Sequence, residues 1–319
     1  MNRTQLSAFT AVAEAGGFTK GARRLMVSQP AVSLQVAELE RVLRTKLFDR
    51  LPRGVRLTAA GRMLLGFAKR IESLEGEAES AIADLLGLKR GKLIIGASLT
   101  IGSYFLPVAL GEFRRRHPQI DLEMEIANTQ QIESLVRESR VDLAFTEGLA
   151  PKDAASAQTI YDDRLVPIAP PDHPLLKHKR ITAALVCREE LILREVGSGT
   201  RDVIEAEFAR RKLKVRPLMS LGSTEAIKRA VEAGVGLAIV SELAVESEVR
   251  AGTLVVLPVA ALTINRPFRV LRPLGKSDSP AATAFLEVAR ARAAQARKSA
   301  TSRPSGLPGR SDHSSATPR

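Results

Sequence analysis

The residues with the most evident chemical use stand in short runs of glycine, hydroxyl and amide side chains. Ser98-Leu99-Thr100 follows the apolar run LIIGA, and Asn128-Thr129-Gln130, Gly197-Ser198-Gly199-Thr200-Arg201 and Gly222-Ser223-Thr224 each follow a further predicted strand. All four precede an amphipathic segment. A strand end running into a helix N-terminus presents free N–H groups and the positive end of the helix dipole, which together hold an anion. In the run 197–201 two glycines permit an open nest of N–H groups, and Thr200 and Arg201 can complete it as an oxyanion cradle. Read singly, each run is equally an ordinary N-cap, Ser223 among them. Glu147, in FTEG at a strand end, could orient a ligand, pair with Arg201, or simply end its strand in water. A carboxylate beside the ligand suits a small anion, or a ligand with one acidic and one donor group, better than a bulky dianion.

Bond-making chemistry has little to stand on. The four histidines, His117, His173, His178 and His313, are scattered, and no G-x-S-x-G, H-E-x-x-H or phosphate-loop lysine motif occurs. Gly234 and Gly236 lack the third glycine of a dinucleotide site and read as a tight helix-to-strand turn. One cysteine, Cys187, excludes a disulfide framework and a cysteine zinc site, so neither metal nor cofactor is expected. No apolar run reaches membrane-spanning length, and MNRTQLSAFT lacks the apolar core of an export signal, which points to the cytoplasm.

The net charge of +13 is unevenly placed. Residues 1–57 hold ten Lys and Arg against four Asp and Glu, and 290–319 hold seven against one, which leaves the body close to neutral. A basic head on a neutral body implies a polyanion partner for the head alone.

Within that head, Phe18–Glu40 reads as two short helices with a break at Met26 and Val27. Thr19 can cap the first and Ser28 the second, with Pro30 in its first turn. Val32, Val36 and Leu39 form a buried stripe, so Gln29, Pro30, Ser33 and Leu34 lie outward. Small and amide side chains leading a helix fit a DNA major groove; an ordinary helical hairpin is the alternative. Helix 3–15, ending at Gly16-Gly17, would complete a three-helix core. The run KLFDRLPRGVRLT reads as a β-hairpin, a wing with Arg53 at its tip and Arg50 and Arg56 on its arms, suited to phosphates or a minor groove. A solvated turn is the plainer reading.

Thr58 caps a predicted helix to about Leu86, whose Leu64, Phe67, Ile71, Leu74, Ala78, Ala81 and Leu85 make a heptad seam. A second copy is its natural partner; the chain's own body is the alternative. Gly87 and the KRGK run at 89–92 make a hinge. Beyond it, strands are expected at 93–98, 120–127, 141–146, 164–169, 190–194, 217–221, 235–240, 253–257 and 267–272, with helices near 102–116, 130–138, 200–212, 223–233, 241–248 and 280–296. Such alternation makes an α/β body with parallel sheets, enough for two small sheets joined by crossings near 164 and 266. The Ser/Pro/Gly/Arg-rich tail should be disordered.

Three stretches resemble the LysR-type transcriptional regulators: AFTAVAEAGGFTKGARRLMVSQPAVSLQVAELE, FDRLPRGVRLTAAG, and STEAIKRAVEAGVGLAIVSELAVESEVRAGTLVVLPV. The pieces GASLTIGSYFLP and REVGSGTR look most like the branch governing carbon fixation and sulfur or nitrogen assimilation. The resemblance implies a winged helix-turn-helix over 1–58, a dimerising linker helix over 59–88, and an effector domain over 89–297. That domain would have two Rossmann-like subdomains of periplasmic-binding type, one about 92–163 and 267–297, the other about 164–266, with a basic tail at 298–319. It further implies a homotetramer on promoter DNA, acting through RNA polymerase. A small co-inducer, here an anion, would sit between the subdomains. Ser98, Leu99, Thr100, Thr129, Glu147, Gly197, Ser198, Gly199, Thr200, Arg201 and Ser223 would face it; Thr19, Ser28, Gln29, Pro30, Ser33, Leu34 and the three wing arginines would face DNA. Leu34 departs from the family, which commonly has Arg or Lys there; leucine offers only apolar contact, for example to a thymine methyl. A transport receptor or an enzyme would use the same two-lobed body.

Overall fold

A computed structural model describes residues 1–50, 54–85, 91–149, 157–274 and 277–301. Helix α1 (Arg3–Ala15) opens with a capping box between Asn2 and Gln5 and stops at Gly16, whose φ of 68° is left-handed. Helix α2 (Phe18–Arg24) starts two residues earlier than a Thr19 cap would require. Gly17 occupies the cap position without a side-chain bond, so Thr19 falls in the first turn. The two helices cross closely: a Cβ on Gly21 would lie 2.9 Å from Val12 Cα. Met26, with φ 55°, turns the chain into α3 (Gln29–Leu43), where Ser28 Oγ accepts from Ala31 N at 3.4 Å. Val32, Val36 and Leu39 are buried against Phe9, Val12, Leu47 and Phe48, as the stripe requires.

The wing is an antiparallel pair, β1 (Phe48–Arg50) and β2 (Val55–Leu57), with Asp49 opposite Arg56. Its tip, with Arg53, lies outside the described residues. Glu40 fastens wing to helix, accepting from Lys46 Nζ at 2.7 Å and Leu47 N at 2.8 Å. Thr58 Oγ1 accepts from Gly61 N at 3.0 Å and starts α4 (Ala59–Leu85). Leu64, expected on the seam, instead packs on the head core, because the first turns of α4 lie against the head. Phe67 (54% exposed), Ile71, Leu74 and Ala78 face outward along the helix. The side chains of Ala81 and Leu85, and the hinge up to Arg90, lie outside the described residues.

The body begins with β3 (Gly91–Ser98), a π-helical turn at Ile101–Phe105, and α5 (Leu106–Arg116). Pro107 has no N–H to give and so begins the regular helix at the end of the π turn. There follow β4 (Ile120–Ala127), α6 (Thr129–Arg137), β5 (Leu143–Glu147), β6 (Gln158–Ala169), β7 (Ile181–Thr182), α7 (Ala183–Val186), β8 (Leu191–Arg194), α8 (Gly199–Arg210), β9 (Pro217–Leu221), α9 (Thr224–Glu232), β10 (Leu237–Ser241), α10 (Glu246–Ala251), β11 (Val255–Val256), β12 (Val259–Ala260), β13 (Ile264–Leu271) and α11 (Pro280–Thr301). Helix α11 runs into the stretch expected to be tail; residues from 302 on lie outside the described residues.

Two separate parallel sheets were expected, and one continuous sheet is found. Its order is β4-β3-β5-β13-β6-β10-β8-β9, with β11 beside β6. The outer triplets are parallel, as alternation with helices demands. The middle is antiparallel, because the two crossing strands, β6 and β13, bond to each other and to both triplets. Each triplet with its helices is one lobe. Phe105, Phe113, Phe145, Phe268 and Phe285 centre the first core, and Ile192, Ile227, Val231 and Val240 belong to the second. The helix expected at 241–248 is split into a 3-10 turn at Glu242–Ala244 and α10, since Ser241 Oγ accepts from Leu243 N and begins a turn of its own.

Candidate functional site

At the head, Gln29, Pro30 and Leu34 are exposed at the start of α3, Leu34 at 60%. Gln29 Nε2 donates to Ser33 Oγ at 2.7 Å, which leaves the Gln29 carbonyl outward as an acceptor. Val27 and Met26 are exposed beside them, so the leading edge of this helix is apolar and amide in character, not cationic. Arg56 is exposed and meets Asp49 at 3.4 Å. Burial works against the Glu40 carboxylate, but bonds from Lys46, Leu47 and Phe48 hold it below its ordinary value, so the brace to the wing stays ionised.

Where the lobes meet, the ends of β3 and β5 and the inner part of the β6–β13 ladder lie by the N-termini of α6 and α8. Thr129 Oγ1 accepts from Gly199 N at 3.1 Å and donates to the Glu147 carbonyl at 3.2 Å; Gln130 N donates to the Gly197 carbonyl at 3.1 Å. The backbones touch here: a Cβ on Gly148 (φ 126°) would sit 2.8 Å from Gly199 Cα. Ser98, Thr100, Thr129, Glu147, Ser198 and Thr200 are therefore brought together, all buried. Ser98 Oγ and the Thr100 hydroxyl bond the Glu147 carboxylate.

Arg201 is not part of this group. It is turned along α8, to Glu205 at 2.8 Å and Ser220 at 3.1 Å, so the Glu147–Arg201 pairing is replaced by another. Nor does Glu147 end its strand in water, being 3% exposed. Ser223 caps α9, accepting from Ala226 N, and among the described residues no bond ties it to the cluster. Leu99 is half-buried.

The cation that meets Glu147 is Arg266, which sequence reasoning missed. Its guanidinium is fully buried: Nε donates to Asp163 Oδ2 at 2.8 Å, Nη1 to Thr200 Oγ1, and Nη1 lies 3.3 Å from Glu147 Oε1. Asp163 also accepts from Ser241 Oγ at 2.8 Å. Burial pushes both carboxyls above their ordinary values, though Arg266 pulls each back. The signal was strand alternation, which puts Arg266 on the buried face with Ile264 and Phe268, and Asp163 with Tyr161 and Leu165. A charge on an inward position must have a partner. A second cross-lobe contact was also missed: Tyr104 Oη, on the π turn, donates to Glu225 of α9. Buried Lys228 joins Glu225 at 2.7 Å and Glu248 at 2.8 Å beneath the ring.

A helix-turn-helix with a wing, joined by a long helix to two lobes that enclose a polar cluster, defines a DNA-binding regulator with a sensing body. Residues 4–62 match the model of the bacterial regulatory helix-turn-helix protein, lysR family, and residues 86–294 match the LysR substrate binding domain. The chain belongs to the LysR family of transcriptional regulators. It is 37% identical over 292 residues to the RuBisCO operon transcriptional regulator of Allochromatium vinosum, spanning 91% of this chain and 96% of that one. The regulatory domain of Synechocystis CcmR, solved in complex with 2-PG, is 32% identical with a TM-score of 0.59, over 63% of this chain and 97% of that one. Full-length OxyR of Pseudomonas aeruginosa superposes with a TM-score of 0.70 at 25% identity, over 92% and 94%. These relatives are regulators and not enzymes, and the carbon-fixation regulators among them fall within the branch the resemblance indicated, that of carbon fixation and sulfur or nitrogen assimilation.

Proposed function

We propose that this regulator binds promoter DNA as an assembly of paired chains and that a small anion bound between its lobes changes that grip. The observation that carries the reading is the buried cluster of Ser98, Thr100, Thr129, Glu147, Thr200 and Arg266 at the lobe junction. It holds more polar groups than a core needs, and each lobe supplies part of it. The 2-PG complex of the CcmR domain supports an acidic ligand for this class of body.

Gln29, Pro30, Ser33 and Leu34 read bases, Thr19 and Ser28 flank them, and Arg50, Arg53 and Arg56 hold the backbone. The apolar outer face of α4 supports pairing with a second copy, and two such pairs make a tetramer. The boundaries that fit are a DNA-binding unit over 1–58, a linker over 59–88 and a sensing unit over 89–297. Within it the lobes divide at the 164 and 266 crossings. The protein works in the cytoplasm and reaches transcription through RNA polymerase; among the described residues no helix is long and apolar enough to cross a membrane.

Coupling of ~1–3 kcal/mol is the usual scale, and it must be reciprocal. Calorimetric titration of 2-PG with and without DNA from upstream of the protein's own gene tests it. A change in effector affinity of about five- to 150-fold is expected, and equal affinities would overturn the coupling.

A further inference from the structure

Among the described residues, two buried side-chain nitrogens lack a partner, and one of them is Arg266 Nη2. It belongs to a guanidinium whose other two nitrogens are bound, in the middle of the lobe junction. A buried N–H with no acceptor costs about as much as a lost hydrogen bond, so a retained one marks a place for an acceptor. The surroundings narrow which acceptor. Glu147 is faced by Ser98 from β3, Thr100 from just before the π turn, Arg266 from β13 and Asp163 from β6, with Arg194 of β8 the next cation. Thr129 of α6 bonds its carbonyl, and Thr200 of α8 bonds the same guanidinium. Arg194 is itself tied to Glu195 at 2.8 Å. Among the described residues here, the two carboxyls Glu147 and Asp163 thus share the one cation Arg266, and an entering anion would meet a site already negative by one unit unless one carboxyl carries a proton.

We propose that Arg266 and Glu147 form one acid-recognising element. The free Nη2 of Arg266 takes an oxygen of the anionic effector, and Glu147 holds a proton that it donates to a second oxygen of the same acid group. The idea rests on the reading that effectors bind between the lobes, and it adds what they must offer: an oxyanion of at least two oxygens, taken up with a protonated carboxyl beside it. Arg266 Nε and Ser241 Oγ both donate to Asp163, which favours its ionised form against the burial that raises it. Burial raises Glu147 above its ordinary value, the direction that favours a retained proton. Affinity then falls with rising pH, up to tenfold per pH unit once Glu147 ionises in the free protein.

The test is a calorimetric titration of the full-length protein with sulfate, glycolate and 2-PG between pH 6 and 9. Sulfate and glycolate keep a constant charge over that range, so any pH dependence comes from the protein. Expected are tighter binding at low pH in the wild type and a flat profile in Glu147→Gln, whose amide donates at every pH. Arg266→Lys should bind about ten- to hundredfold more weakly. If Arg266→Lys does not fold, Glu147→Gln carries the test alone. Wild-type binding with the same pH profile in Glu147→Gln overturns the inference and leaves the interlobe reading standing. A wild type that takes none of the three anions overturns both.

Discussion

At Gly199 the backbones of the two lobes touch, and Gly199→Ala tests that contact directly. An added methyl would overlap the Glu147 carbonyl oxygen and come within 2.9 Å of Thr129 Oγ1, both on the opposite lobe. Neither atom is the far end of a flexible side chain, so the relief is separation of the lobes. Separation breaks the Gly199–Thr129 and Gln130–Gly197 hydrogen bonds, each 3.1 Å long. At a net ~0.5–1.5 kcal/mol per bond the loss is ~1–3 kcal/mol. For a body of this size that lowers the melting temperature by about 2–12 °C. Differential scanning calorimetry reads the shift, and small-angle scattering reads the opening as a larger radius of gyration. Gly76→Ala, on the exposed side of α4 with nothing within 4 Å of the new Cβ, is the control and should hold or gain stability. A Gly199→Ala protein that melts with the wild type and scatters identically would refute the close lobe contact and the reasoning built on it.

Three further outcomes are expected. Leu34→Arg should raise affinity for all DNA and steepen the salt dependence by about 0.9 in log–log slope, one phosphate's worth, in fluorescence titrations at several salt concentrations; parallel salt plots would count against an outward, groove-facing Leu34. Phe67→Lys with Leu74→Lys, on the outer face of α4, should turn a paired species into a single chain in sedimentation equilibrium while the body melts unchanged; an unaltered mass would remove α4 from the interface. Glu147 is raised by burial, so the folded protein holds its proton to a higher pH than the unfolded chain does, and the contribution of this group to stability declines as pH rises from about 4 through the raised value. Glu147→Gln should therefore gain in melting temperature relative to wild type between pH 4 and 8, and a constant difference would contradict the assignment.

The head was largely legible because its signals are local. Ser28, Pro30 and the Val32–Val36–Leu39 stripe state the start and the buried face of α3 within a dozen residues. Thr19 misled because a glycine pair can begin a helix without a side-chain cap, and Leu64 misled because one helix serves the head first and its outer face afterwards. The body's strands were found, but not their joining. Pairing of Asp163 with Arg266 spans a separation that no window of sequence covers, and it decides both the single sheet and the cation that faces Glu147. Arg201 looked like that cation because it sits in the right loop; its helical neighbour Glu205 claims it instead.

The crossing strands carry a consequence for movement. Lobes tied by slack loops swing freely, but these are tied by a ladder of main-chain bonds from Ile264–Leu165 to Val270–Gln158. Relative motion must flex or twist that ladder, and Asp163 and Arg266 are opposed at its fulcrum. A ligand seated there acts on the pivot itself, where a small displacement becomes a large sweep at the far ends of both lobes.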